Sequence, residues 1–372
     1  MKAKVMKIVI TPFAKNSSNP YLKQLLEALE ARGIEVQTAP GRSLFGLWRA
    51  ALKSGRPDVV HLQWQHLFFQ GQTRVQAIWR TVIFFVQWAA LRRLGVRFVW
   101  TVHNLVDHEQ AQARWERRAC RWLAQAVDRL IVHCPAAVRI VSSAYQTPPE
   151  KISVVPHGHY IDRYSPPLPQ AEARQRLGLP LEGRIFLFCG RVRAYKGVDR
   201  LLKAFAALDA KDDVRLLVVG SPTPAALGQT LSVQAAANPR VITRFEFIPE
   251  EALVTYLSAC DLVVLPYRDS LTSGAAVLAA SYGRPVLMPR LGCMTAFPAE
   301  SVILYDPEQP GSLRAALVQA LAAPLDRMGR AARDYIEQFS WPLVAAETFG
   351  VYQSILAKAP QPALSFARRH DG

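Results

Sequence analysis

The sequence predicts an α/β protein built from two doubly wound parallel sheets. Short apolar runs alternate with longer amphipathic stretches almost from end to end, which is the rhythm of repeated βαβ units. The runs are continuously apolar rather than alternating, as strands covered on both faces must be. The rhythm breaks near the middle, at a proline-rich stretch between Pro166 and Pro180, and then restarts.

In the first half the strands are "KIVITPF", "IEVQTA", "VVHLQW", "RFVWTVH", "RLIVHC" and "ISVVPHG". After the first, "NPYLKQLLEALEARG" sets Leu22, Leu25, Leu26 and Leu29 on one stripe and ends in Gly33, a helix with its stop signal. From Arg184 the strands are "RIFLFCGR", "VRLLVVG", "VITRFEFI", "LVVLPY", "RPVLMP" and "SVILYD", with helices between. A closing helix, "WPLVAAETFGVYQSIL", follows a second boundary near Phe339. The expected domains are 1–165, completed by 340–372, and 166–339.

Composition bounds the function. With 372 residues, half of them apolar, the chain can fill two cores. A formal charge of +16 favours partners that carry phosphate: nucleotides, nucleic acid or anionic lipid. The five cysteines are odd in number and never form a C-x-x-C pair, which fits a reduced compartment better than a disulfide framework. The apolar run at the N-terminus is too short for a signal peptide. No stretch reaches the about 18 uncharged apolar residues of a spanning helix; Ile78–Trp100 comes nearest and is broken by Arg80, Arg92, Arg93 and Arg97. The expected location is cytoplasmic and peripheral, on the inner face of the cell membrane. The segment from Arg74 to Arg121, rich in Trp, Phe and Arg, is either a half-buried helix pair with basic faces or a surface for anionic headgroups.

Ligands of doubly wound sheets sit beyond the strand C-termini. The stretch "LFCGRVRAYKGVDRLLKAFAAL" ends a strand at Gly190, where backbone can come close to a ligand. Arg191 brings a planar fork and Lys196 a point charge, a pair suited to a diphosphate; the alternative is a turn with a solvated basic loop. In "LVVLPYRDSLTSGAAVLAASYGRPVL" Pro266 stops a strand, Ser270 to Gly274 make a polar turn, and a small-residue helix follows. Thr272, Ser273 and Gly274 then offer donors at the positive end of a helix, a cradle for an anion. Asp269 either caps this turn or supplies a carboxylate. Phe247 and Ile248 lie in the turn after "VITRFEF", as core residues or as contacts to a nucleotide base.

In the first half, "VWTVHNLVDHE" sets His103, Asp107, His108 and Glu109 after a strand, groups suited to general-base work; the alternative is a helix cap at Asp107. Tyr21, His61 and Trp64 also lie at strand ends, and with His108 they are the candidate acceptor-binding set. No histidines have zinc-like spacing, so neither a metal nor a resident cofactor is expected.

These motifs resemble the retaining glycosyltransferases of family 4, whose second domain opens with a similar G-R-x-x-x-x-K-G run. The likeness is strong over the second half and rests mainly on strand order in the first. It implies the two-domain GT-B fold, with Rossmann-like domains facing a cleft, and a UDP- or GDP-sugar as co-substrate. By that resemblance Arg191 and Lys196 hold the donor diphosphate, Phe247 and Ile248 lie beside the base, and His103 contacts the donor sugar. It further implies transfer of a hexosyl or glucuronosyl unit to a saccharide or lipid-linked acceptor in exopolysaccharide or cell-envelope assembly, at an anionic membrane and without nucleic acid. In the family this polar turn and its helix carry two glutamates eight positions apart; here Ser270 and Leu278 stand in their places. That departure favours inversion, with Glu109 as the first choice of base and Asp107 as the second. The rival from another class is a non-enzymatic basic nucleotide- or nucleic-acid-binding protein, for which no recognisable module is present.

Overall fold

A computed structural model describes residues 5–12, 19–40, 43–106, 113–209 and 211–357. The chain divides into two compact units, the first ending at Pro156 and resuming at Trp341, the second running from His157 to Ser340. The division falls at Pro156 rather than at residue 165. Tyr160 explains it, being buried with Val277, Ala280, Ala332 and Ile336 and donating its backbone N–H to the Ser281 hydroxyl at 2.9 Å.

The first unit holds β1 (Lys7–Thr11), β2 (Glu35–Thr38), β3 (Val59–Leu62), β4 (Arg97–Thr101), β5 (Arg129–Val132) and β6 (Ile152–Val154). They form one sheet in the order β2-β1-β3-β4-β5-β6, parallel throughout. The second unit holds β7 (Arg184–Cys189), β8 (Val214–Val219), β9 (Val241–Arg244), β10 (Leu262–Val264), β11 (Val286–Pro289) and β12 (Val302–Tyr305). Their order is β12-β11-β10-β7-β8-β9, again all parallel. Every strand expected from an apolar run is present; the central strands are buried on both faces, while the edge strands β2, β6 and β9 are only partly buried. Phe186 shows the register: it lies between Leu216 of β8 and Leu262 of β10, with no exposed surface.

Parallel strands create two unlike edges. At the N-terminal edges an aspartate just ahead of a strand takes the first free N–H of its neighbour. Asp58 accepts from Lys7 N at 2.9 Å, Asp128 from Phe98 N at 2.8 Å and Asp261 from Ile185 N at 2.6 Å. Arg92 and Arg97 pair with Asp128 at 2.6 and 3.1 Å, and Arg174 pairs with Asp261 at 2.8 Å. These ends are sealed by satisfied polar groups. The C-terminal edges are left for chemistry. Strand order reverses between β1 and β3 in the first unit and between β7 and β10 in the second, and such reversals open the ligand crevices of doubly wound sheets.

The helix Pro20–Ala31 buries Leu22, Leu25, Leu26 and Leu29 in the first core, against the closing helix Trp341–Leu356. Among the described residues no helix is long and apolar enough to cross a membrane.

Candidate active site

In the second unit, two loops leave β7 and β10 at the reversal of strand order and lock together. Gly197 ends the first with φ +68°, and a Cβ there would lie 2.1 Å from the Pro266 carbonyl oxygen, so only glycine lets the loops meet. Arg268 ties the second loop to the first: its N–H bonds the Tyr195 carbonyl at 2.8 Å and its Nε the Ala194 carbonyl at 3.2 Å. Its guanidinium also pairs with Asp199 at 2.5 Å. On the other side, Gly220 presses on Gly190, where a Cβ would lie 2.0 Å from the Gly190 carbonyl oxygen.

This frame sets out the predicted donor residues. Lys196 Nζ lies over the Tyr267 ring, 5.5 Å from its centroid, and a Cβ built on Gly190 would sit 3.4 Å from that ammonium. Burial holds the Lys196 pKa below its ordinary value, and the neighbouring Arg191 and Arg193 charges push it the same way. A desolvated cation beside other cations gains from an anion. Arg191 is exposed, and its side chain forms no hydrogen bond or ion pair among the described residues.

Ser273 caps the helix Gly274–Ser281: its hydroxyl accepts from Ala276 N at 3.2 Å and its carbonyl from Val277 N at 3.2 Å. The N–H groups of Gly274 and Ala275 remain as donors at the positive end of the helix. A Cβ on Gly274 would meet Tyr160 Oη at 3.5 Å and His157 Nε2 at 3.9 Å, so both side chains reach this end as well. The Ser270 hydroxyl turns inward to donate to the Thr272 carbonyl at 2.9 Å, shaping the turn, while Asp269 is exposed on it. Phe247 is 78% exposed beyond β9, which excludes a core role, whereas Ile248 packs on the core. Leu278, at the place of a family glutamate, is half-buried against apolar neighbours.

The first unit's edge is closed by aromatic and polar side chains. His103, after β4, stacks on Trp64 at 4.3 Å with an interplanar angle of 8°, and Tyr21 meets it edge-on at 5.0 Å. Its Nε2 lies 2.8 Å from Gln63 Oε1, and its Nδ1 lies 3.3 Å from His133 Nε2. His133 Nδ1 donates to the Val155 carbonyl at 3.0 Å. Beyond Gln63, whose Nε2 is 3.1 Å from His61 Nε2, His61 meets Thr101 Oγ1 at 2.7 Å and Tyr352 Oη at 2.6 Å. Burial lowers the pKa of His61 to about 3, helped by the nearby His133, and that of His133 to about 4. It raises that of Tyr21.

Tyr21 and His61, expected at the acceptor, are interior residues with 5% and 1% exposure; they support the site from beneath rather than face it. Asp107, His108 and Glu109 lie outside the described residues. Gln63, Thr101, His133 and Tyr352 were not singled out from the sequence, although His133 ends "RLIVHC" much as His103 ends its own strand. Among the described residues no group of three His, Cys, Asp or Glu could hold a metal ion.

The family model "Glycosyl transferases group 1" matches residues 183–323, and "Glycosyltransferase Family 4" matches residues 38–163. The GDP-mannose:glycolipid 4-beta-D-mannosyltransferase of Xanthomonas campestris pv. campestris is 31% identical over 354 residues, covering 94% of this chain and 92% of its own. The chain belongs to the family 4 glycosyltransferases. This glycosyltransferase is also 29% identical to the D-inositol 3-phosphate glycosyltransferase of Gordonia bronchialis over 369 residues, 92% of this chain and 77% of that one. The likeness in fold extends to the sucrose-phosphate synthase of Thermosynechococcus elongatus, with TM-score 0.75, 21% identity, and coverage of 95% of this chain and all of that one. Anabaena HepE in complex with UDP gives TM-score 0.71 and 16% identity over 94% of this chain and all of that one. The second unit carries the group 1 match, and with it the loops around Lys196 and the helix at Gly274.

Proposed function

We propose that this glycosyltransferase moves mannose from GDP-mannose to a saccharide on a lipid carrier, with inversion and without a resident metal, in exopolysaccharide or cell-envelope assembly. The observation that carries the proposal is the cationic edge of the second sheet, where Arg191 and Lys196 follow β7 and the Gly274 helix follows β10, the two strands at the reversal of strand order. As the C1–O bond to the diphosphate breaks, these groups take up the growing negative charge that a metal ion handles elsewhere. The name of the Xanthomonas relative supports the choice of sugar and acceptor. Mannose in GDP-mannose is α-linked, so a β-linked product means inversion.

Inversion needs a base. The acceptor hydroxyl attacks C1 from the face opposite the diphosphate, a C–O bond forms as the donor bond breaks, and the proton passes to a carboxylate. Glu109 is the first choice and Asp107 the second. Loss of both family glutamates, with Ser270 and Leu278 in their places, fits a site that does not follow the retaining course.

The first unit supplies a surface for the lipid. Along the helix Arg74–Arg93, Val75, Trp79, Val82 and Val86 are exposed at helical spacing, a stripe turned to solvent, and Arg74 and Arg93 flank it. An open cavity of about 780 Å³ borders this stripe, lined by Leu67, Gln70, Gln76, Trp79 and Arg80 among others. Apolar and basic residues together suit a membrane face bearing anionic headgroups.

The test is product analysis with GDP-mannose, UDP-glucose and UDP-glucuronate and a polyprenyl-diphosphate-linked saccharide. GDP-mannose should be the donor used and NMR should show a β-mannoside. An α-linkage would remove inversion and the base assignment, and use of UDP-sugars alone would remove the donor. Glu109→Gln should lower turnover at least about a hundredfold. Vesicles with anionic lipid should bind the protein and release it in high salt, and Trp79→Ser should weaken that binding.

A further inference from the structure

The contacts of His103 constrain where its protons sit. The Val155 carbonyl can only accept, so His133 Nδ1 carries a proton. Burial keeps His133 neutral near pH 7, which leaves its Nε2 as a lone pair. His103 Nδ1, 3.3 Å away, must then be the donor. At the other nitrogen, the Gln63 carbonyl faces His103 Nε2 at 2.8 Å, which requires a proton there too. In this arrangement His103 is an imidazolium donating from both nitrogens.

A half-turn of the Gln63 amide produces the other satisfied state. Its NH2 then donates to a bare His103 Nε2, and its carbonyl accepts from His61 Nε2. His61 Nδ1 in turn accepts from the Tyr352 hydroxyl across the 2.6 Å contact. The contacts of Gln63 with His103 and His61, and of His61 with Tyr352, each have a donor and an acceptor in both states, which differ by one proton on His103 and by the face that Gln63 presents. Among the described residues, neutral groups from the surrounding elements meet this chain: Tyr21 from the helix Pro20–Ala31, His61 and Thr101 from β3 and β4, and Tyr352 from the closing helix.

We infer that Gln63 and His133 are positioning residues for His103, His133 fixing its tautomer and Gln63 coupling its charge to the orientation of a buried amide. The inference rests on the proposed role of His103 beside the transferred sugar. Carrying or lacking a proton there changes what the site can do. The charged ring stabilises a developing anion, and the neutral ring can accept a proton at Nε2.

Long-range 1H–15N spectra of the histidine side chains in the full chain, without substrate, test this apart from activity. His103 should show Nδ1–H when neutral and should titrate. Gln63→Glu puts a carboxylate at Nε2 and should raise its pKa by at least about one pH unit, whereas Gln63→Met should lower it, since no carbonyl remains to meet the charge. The pH profile of kcat should move the same way in each variant. In His133→Phe the acceptor for Nδ1–H is gone, and the neutral tautomer should become mixed. An Nε2–H tautomer in the native chain, or a pKa that both Gln63 variants leave unmoved, overturns the inference even if mannosyl transfer is demonstrated. Correct tautomers and shifts in a chain that transfers no sugar would sustain the coupling and remove the reading it rests on.

Discussion

The two C-terminal sheet edges have the same architecture and opposite chemistry. The edge of the second unit is made of glycine-rich loops, exposed or desolvated cations, and backbone donors left open at a helix start. The edge of the first is packed with Trp64, Tyr21, His103 and His133, rings that meet one another at close range. A diphosphate is met by charge and N–H groups that need only be left free. A sugar, or a proton in transit, needs a rigid frame, and rigidity comes from satisfying every buried polar atom. The same doubly wound scaffold therefore carries two kinds of edge, set apart by what its loops leave unbonded.

Removing the close approach of the donor loops breaks the contrast most sharply. Gly197→Val places a branched side chain at φ +68° and within 2.1 Å of the Pro266 carbonyl oxygen. A loss of about 4 kcal/mol is expected from strain and overpacking together. Thermal unfolding should show it, and the stabilisation expected from the proposed donor, GDP-mannose, should be lost; a variant that still responds to donor would mean the loops need not meet.

Acid distinguishes the two edges next. In the folded chain His61 titrates near 3 and His133 near 4, against about 6.5 when unfolded. As the pH falls below about 6.5 the unfolded chain takes up protons that the folded one refuses, so this contribution is complete above that value and lost progressively towards pH 4. For His133 alone the loss is roughly 3 kcal/mol, at about 1.4 kcal/mol per pKa unit. Urea unfolding followed from pH 7 to 4 should show this slope, and His133→Gln should flatten it. An equal slope in that variant would place the acid sensitivity elsewhere.

The smallest effect sharpens the donor edge. Arg191→Ala and Lys196→Ala should each weaken nucleotide-sugar binding ten- to a hundredfold, about 1.5–3 kcal/mol per charge-assisted contact. Calorimetric titration measures this directly, and donor affinity unchanged in both would take them out of the site.

The sequence was most legible where causes are local. The central strands stand out because a strand covered on both faces must be apolar along its length, and the edge strands β2 and β9 follow from the βαβ rhythm around them. The loop and helix geometry at the second sheet's edge was legible too, since a glycine at a strand end, a following basic pair and a capped small-residue helix lie within short segments. The first edge was not. His61 meets Tyr352 across 291 residues and His103 meets His133 across 30, and nothing in either neighbourhood announces the partner. Phe247 was ambiguous for another reason: an aromatic residue in a turn reads alike whether it is buried or exposed, and only its 78% exposure decides.

The closing helix has a consequence for synthesis. The first sheet packs against Trp341–Leu356, and His61 keeps a short bond to Tyr352, so the first unit lacks a wall until Leu356 has left the ribosome. The second unit, continuous from His157 to Ser340, can close earlier. The half made first is thus completed last, and in the interval a nascent chain exposes the apolar face of the Pro20–Ala31 helix that Trp341, Val344 and Tyr352 later cover. A ribosome that stalls shortly before Trp341 would release a chain with one finished half and one sticky one, a substrate for chaperones.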